Sequence, residues 1–208
     1  MIVVAVALLA ALALTSRSEG WKLGAARWWI WLVLAIPGLL LCIDVVLGAS
    51  GVRILRSRLA GLILVGIIVL GNVVGLALLI DGLITQGSEL GGGQLLLTSA
   101  TIWIANVIVF GVIFWDLDDG GPFARARHKR ATPDFQFPQD ENPQLARPGW
   151  RPHIWDYLYI SLTAGTAFSP TDAMPLTRTA KLMLSIQSTI SLLLVVLVTA
   201  RAVNVLGQ

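Results

Sequence analysis

Apolar residues gather into five runs along the chain, and the polar residues between them sit in short stretches rich in glycine, proline or charge. About 20 consecutive apolar residues make a helix long enough to cross ~30 Å of hydrocarbon with its main-chain N–H and C=O groups bonded internally. Residues 28–48, 59–80, 95–115 and 182–200 reach that length, and residues 2–14 form a shorter first run. The pattern predicts an all-α, polytopic membrane protein with about five spans, the first one short.

Details within the runs agree with this reading. Trp28, Trp29 and Trp31 would lie at the headgroup level, and Pro37-Gly38 would kink the second span. Asp44, close to a polar segment, reads as an interfacial anchor. In the third span Gly71-x-x-x-Gly75 offers a surface for close helix packing, and Asn72 needs a hydrogen-bond partner that Asn106 of the fourth span would supply. Residues 81–94 are a flexible, glycine-rich connection.

Past Trp115 the composition changes. Residues 116–155 hold six of the nine prolines, which argues against helix and for extended or polyproline-like chain. Phe135, Phe137 and Trp150 argue against simple disorder there. The chain thus divides into N-terminal transmembrane helices (1–117), a proline-rich charged loop (118–153) and a C-terminal helix-and-span segment (154–208). The loop opens with Asp116, Asp118 and Asp119 and then Arg125, Arg127, Lys129 and Arg130, read as solvated acidic and basic patches. The acidic run lacks calcium-loop spacing.

Composition narrows the function classes. With 56% hydrophobic and 13% charged residues the chain has too little charge to solvate a domain of 208 residues in water. Cys42 has no partner for a disulfide, and His128 and His153 have no metal-ligand spacing. No metal or cofactor is expected. A net charge of +3 reflects the basic loops of a membrane protein and not nucleic-acid binding. Convergent serine, histidine or paired carboxylates are missing, so no catalytic residues and no enzyme are expected. No inverted repeat speaks for a secondary transporter. With the proline-rich loop inside, 11 of the 15 lysines and arginines are cytoplasmic, the arrangement expected of a multi-pass protein of the bacterial cytoplasmic (inner) membrane.

Residues 154–177 stand apart. IWDYLYISLTAGTAF suits a helix of about three turns, and FSPTDAMP, with Pro170 and Pro175, cannot continue it. A short helix, irregular backbone and then a full span is the layout of a re-entrant segment. On the last span Ser185, Ser188, Thr189 and Thr199 fall within an arc of about 100°. Such a stripe either lines a water path or makes hydrogen bonds between helices.

Leu158, Tyr159, Ser161, Thr166, Asp172, Pro175 and Thr177 stand where the pore region of tetrameric potassium channels carries the same residues, so residues 158–177 resemble that pore loop. Where the family has Gly-Tyr-Gly, this chain has Ser169, Pro170 and Thr171, so a dehydrating potassium filter is not expected. The resemblance implies a pore-helix-like segment, an inner-helix-like last span and a homo-oligomer, with a tetramer favoured. Filter-like residues would be Thr166, Phe168, Ser169, Pro170, Thr171 and Asp172, and Ser185, Ser188, Thr189 and Thr199 would line the pore. The chain is also similar to a family of actinobacterial and proteobacterial membrane proteins that share an AFSPTD-like motif, a likeness that implies no activity. The expected function is an ion-channel-like membrane protein, a weakly selective or non-selective pore for monovalent cations with lipid as its other partner. The alternative is a nonconducting scaffold or assembly protein that keeps a channel-derived hairpin.

Overall fold

A computed structural model describes residues 66–67, 69–71, 73–77, 80–81, 92–121, 125, 133–167 and 172–206, with main chain alone at 92–95, 145, 167 and 201–206. Helix α1 spans Gly92–Leu117, about 39 Å at the α-helical rise, and contains the expected fourth span. A 3-10 turn at Asp118–Gly120 ends it. Strand β1 (Phe135–Gln136), helix α2 (Pro138–Glu141), a 3-10 turn at Pro143–Leu145 and helix α3 (Ile154–Ala167) follow. Strand β2 (Met174–Pro175) precedes helix α4, Arg178–Leu206. The strands pair antiparallel, Phe135 opposite Pro175 and Gln136 opposite Met174.

The described residues are mostly helical, and two helical stretches, Leu96–Gly120 and Arg178–Ala200, are long and apolar enough to cross a membrane. The expected runs 2–14 and 28–48 and the residues Asp44 and Asn72 lie outside the described residues. Run 59–80 is described in part, as helical residues between 66 and 81.

The chain forms two compact units, Met1–Val109 with Leu193–Gln208, and Phe110–Leu192. In the first, Leu76, Ile102, Ala105, Val107, Ile108 and Leu194 are buried, while Ile67, Leu70, Val73 and Val74 are exposed. Among the described residues, a methyl group on Gly75 would meet only Ile102 Cδ1, at 4.0 Å, an ordinary contact.

The second unit is built on aromatic residues. Phe110 and Phe114 of α1, Phe135 and Phe137 of the loop and Tyr157 of α3 are all buried. Their rings form a chain, Phe110 to Phe114 at 6.0 Å, Phe114 to Phe135 at 5.2 Å, Phe135 to Tyr157 at 6.2 Å and Phe137 to Tyr157 at 5.4 Å. Phe137 also meets Trp150 at 5.7 Å. Each large ring removed from water contributes roughly 1.5–3 kcal/mol, and tilted or edge-on pairs add to that. Phe135 and Phe137 point into this core while Gln136 does not, the alternation of an extended strand.

Two expectations for the loop are corrected here. Helix is present at Pro138–Glu141 despite the prolines, because Pro138 stands at the first helical position, where its missing N–H has no bond to lose. Asp140 returns a carboxylate oxygen to the Phe137 N–H at 3.2 Å. Asp118 is not part of a solvated acidic patch: it is fully buried, whereas Asp116 is exposed.

Candidate functional site

The carboxylate of Asp118 is the centre of the second unit. Its Oδ1 accepts the main-chain N–H groups of Asp134 (2.8 Å) and Phe135 (3.1 Å), and its Oδ2 accepts the hydroxyl proton of Tyr157. Arg125, itself nearly buried, brings Nη1 to 3.9 Å from Oδ2. A charge without water is tolerable only when paired and hydrogen-bonded, and each oxygen here has partners.

Arg125 also finishes α1. Helix ends leave carbonyls without intrahelical partners, and cations are favoured beside them. Its Nη2 donates to Trp115 O at 2.7 Å and its Nη1 to Asp118 O. Its guanidinium lies 5.4 Å from the centre of the Tyr157 ring. After α1 come three successive residues of positive φ, Asp119 (φ 51), Gly120 (φ 75) and Gly121 (φ 96). At Gly121 a side chain would crowd Asp116 O at 3.0 Å, so glycine is required there.

Asp134 extends the network to α4. Its Oδ2 accepts the Asp119 N–H at 3.3 Å, and its Oδ1 accepts the Thr177 hydroxyl. Its carbonyl accepts the Leu176 N–H at 2.8 Å. Thr177 in turn is the N-cap of α4, its Oγ1 accepting the Ala180 N–H at 3.2 Å. At the start of α3, Asp156 accepts the His153 N–H at 2.6 Å and places negative charge at the positive end of the helix.

Residues 154–167 and 172–177 belong to one segment that is bonded to the hub near each end. The segment leaves the Asp118 hub through Tyr157 in the first turns of α3, and returns to it through Leu176 and Thr177. Both of its ends are thus fastened to the hub. Beyond it α3 and α4 are bonded side by side. Gln187 Nε2 donates to Ser161 O (2.8 Å) and Ser161 Oγ (2.6 Å), and Ser188 Oγ donates to Ala164 O at 3.2 Å.

The residues expected to carry function are placed as follows. Thr166 is exposed at the end of α3 and turns its hydroxyl to Leu162 O at 2.9 Å. Asp172 is exposed. Phe168, Ser169, Pro170 and Thr171 lie outside the described residues. Ser185 and Thr189 are exposed and bond back to their own helix, at Lys181 O and Ser185 O, both at 2.8 Å. Thr199 is exposed as well. Among the described residues Ser188 alone of the four binds a neighbouring helix, so the stripe divides between two roles. The stronger polar contact of α4 is Gln187, buried with Ser191 on the face that also holds Ala180 and Leu184.

The contrast between these residues is measurable. Gln187→Met removes two hydrogen bonds to α3 and should lower stability by about 1–2 kcal/mol, whereas Ser185→Ala should leave thermal unfolding of the purified protein unchanged. Equal effects would show that the buried face of α4 is not what docks it.

Among the described residues no three histidine, cysteine, aspartate or glutamate side chains gather as a metal site requires. No protein-family model, curated protein or solved structure matches the chain.

Proposed function

We propose that the chain is an ion-channel-like integral membrane protein of about five spans, in which residues 154–177 dip into the bilayer and return to the side they entered. The observation that carries this reading is the fastening of both ends of the segment to the Asp118–Asp134 hub. A segment that crossed the membrane would end on the far side. Seven peptide steps from Ala167 to Met174 reach about 25 Å when extended, enough to retrace the roughly 20 Å of α3.

Helix α4 supports a lipid setting. Leu182, Leu192, Leu193, Val195 and Val196 are exposed while Gln187 and Ser191 are buried, the reverse of a water-soluble helix. Only 28% of its most apolar window is covered, against 67% for α1. Non-helical backbone at membrane depth has to be covered by protein or bathed by water. Exposed Asp172, Met174 and Leu176 therefore favour a homo-oligomer, a tetramer by analogy with pore-loop channels, in which the returning strand surrounds a wet axis. Such an opening passes small monovalent cations with little selectivity, and Asp172 at its mouth concentrates them. The membrane is the bacterial inner membrane and the hub side is cytoplasmic, following the distribution of lysine and arginine.

The test is cation flux through the purified protein in liposomes. Asp172→Asn should lower flux about three- to tenfold at low salt, and the difference should shrink at 1 M salt, where the Debye length falls to ~3 Å. Absence of flux from a correctly assembled oligomer would replace this reading with that of a nonconducting scaffold.

A further inference from the structure

We infer that Asp134 and Thr177 form a releasable latch that positions the start of α4, separate from the sealed Asp118 hub; its effect on flux rests on the hairpin reading, its structural test does not. All four polar groups of Asp134 are engaged. Its N–H and Oδ2 hold the turn after α1, at Asp118 Oδ1 and the Asp119 N–H. Its carbonyl and Oδ1 hold the two residues ahead of α4, at the Leu176 N–H and the Thr177 hydroxyl. The Thr177 hydroxyl has two roles at once, capping α4 through the Ala180 N–H and docking it through its proton on Asp134.

The two tiers differ in exposure. Asp118 has no contact with solvent, and its bonds to the Asp134 and Phe135 amides and to Tyr157 involve neither Leu176 nor Thr177. Asp134 and Thr177 are partly exposed, so water can reach the bond between them and replace it. Releasing that bond leaves Met174 and Pro175 paired with β1, loosens Leu176 beside it and lets the start of α4 shift while the hub stays closed. Asp134 and Thr177 are positioning residues for the segment that the pore reading places at the axis.

The latch can be separated from the cap by chemistry. In Thr177→Asp the side-chain oxygen still caps α4, since aspartate is among the best N-caps. It has no proton to give, and it sets a second negative charge against Asp134. In Thr177→Ser both functions survive. Hydrogen–deuterium exchange on the full-length protein should show the Leu176 amide exchanging on the order of tenfold faster in Thr177→Asp, the factor one hydrogen bond of ordinary strength confers. The Ala180 and Phe135 amides should keep the parent rates, and Thr177→Ser should match the parent throughout. Asp134→Ala should loosen Leu176 in the same way, and it provides the reading if Thr177→Asp does not fold. An unchanged Leu176 rate would overturn the latch. So would equal loosening of Phe135, or a Thr177→Ser effect as large as that of Thr177→Asp. Absence of flux from the parent protein would overturn the pore reading and leave the exchange result standing.

Discussion

Asp118→Ala should destabilise the protein by about 3–5 kcal/mol, the range for removing one partner of a buried, hydrogen-bonded ion pair. The substitution leaves the Asp134 and Phe135 amides, the Tyr157 hydroxyl and the Arg125 guanidinium facing a methyl group. Asp118→Asn keeps the shape and one accepting oxygen but gives Arg125 no counter-charge, so its cost should lie between that of alanine and the roughly 1 kcal/mol expected for Tyr157→Phe. Unfolding in detergent, followed by the near-ultraviolet signal of the aromatic cluster, measures the series. An Asp118→Ala midpoint close to the parent's would mean that the aromatic packing holds the second unit together without the carboxylate.

The second large effect is expected at Gly111, which Leu158 of α3 approaches more closely than any side chain allows. A Cβ there would lie 2.6 Å from Leu158 Cδ2 and 3.1 Å from Leu158 Cα. The leucine tip can swing aside, but its Cα moves only with the helix. Gly111→Ala should therefore cost about 1–3 kcal/mol, the usual range for overpacking, and Gly111→Val more. Gly75→Ala, whose nearest described neighbour is at 4.0 Å, should be neutral or stabilising by up to about 1 kcal/mol from helix propensity alone. If both alanine variants melt alike, the α1–α3 contact is too loose to make glycine necessary at position 111.

These two sites mark the limit of what the sequence discloses. The apolar runs 95–115 and 182–200 were legible because a helix in an apolar setting needs nothing but length, and both lie inside the observed helices. That the helix beginning at Ile154 does not run on into the last one was legible too, from the prolines between them. The alternation of Phe135 and Phe137 signalled structure in the loop, yet nothing local identified their partners. Asp118 looked like one of three similar acids, because burial is set by residues 16, 17 and 39 positions away. Gly111 was not legible, since one glycine among apolar residues carries no pattern, while Gly71-x-x-x-Gly75 carries a familiar one and no described atom comes nearer than 4.0 Å to a Cβ at Gly75. The polar stripe of α4 was visible as periodicity, but periodicity does not distinguish a hydroxyl that satisfies its own helix from one that reaches its neighbour.

The hub also imposes an order on biogenesis. Asp118 leaves the ribosome 39 residues ahead of Tyr157, and Asp134 43 residues ahead of Thr177. At about 5–20 residues per second the first carboxylate waits roughly 2–8 seconds for its phenol. During that interval it stays hydrated, so the end of α1 cannot settle into its final seat. Closure of the second unit is therefore a late step, and a chain truncated ahead of α3 would leave the end of α1 still open to water.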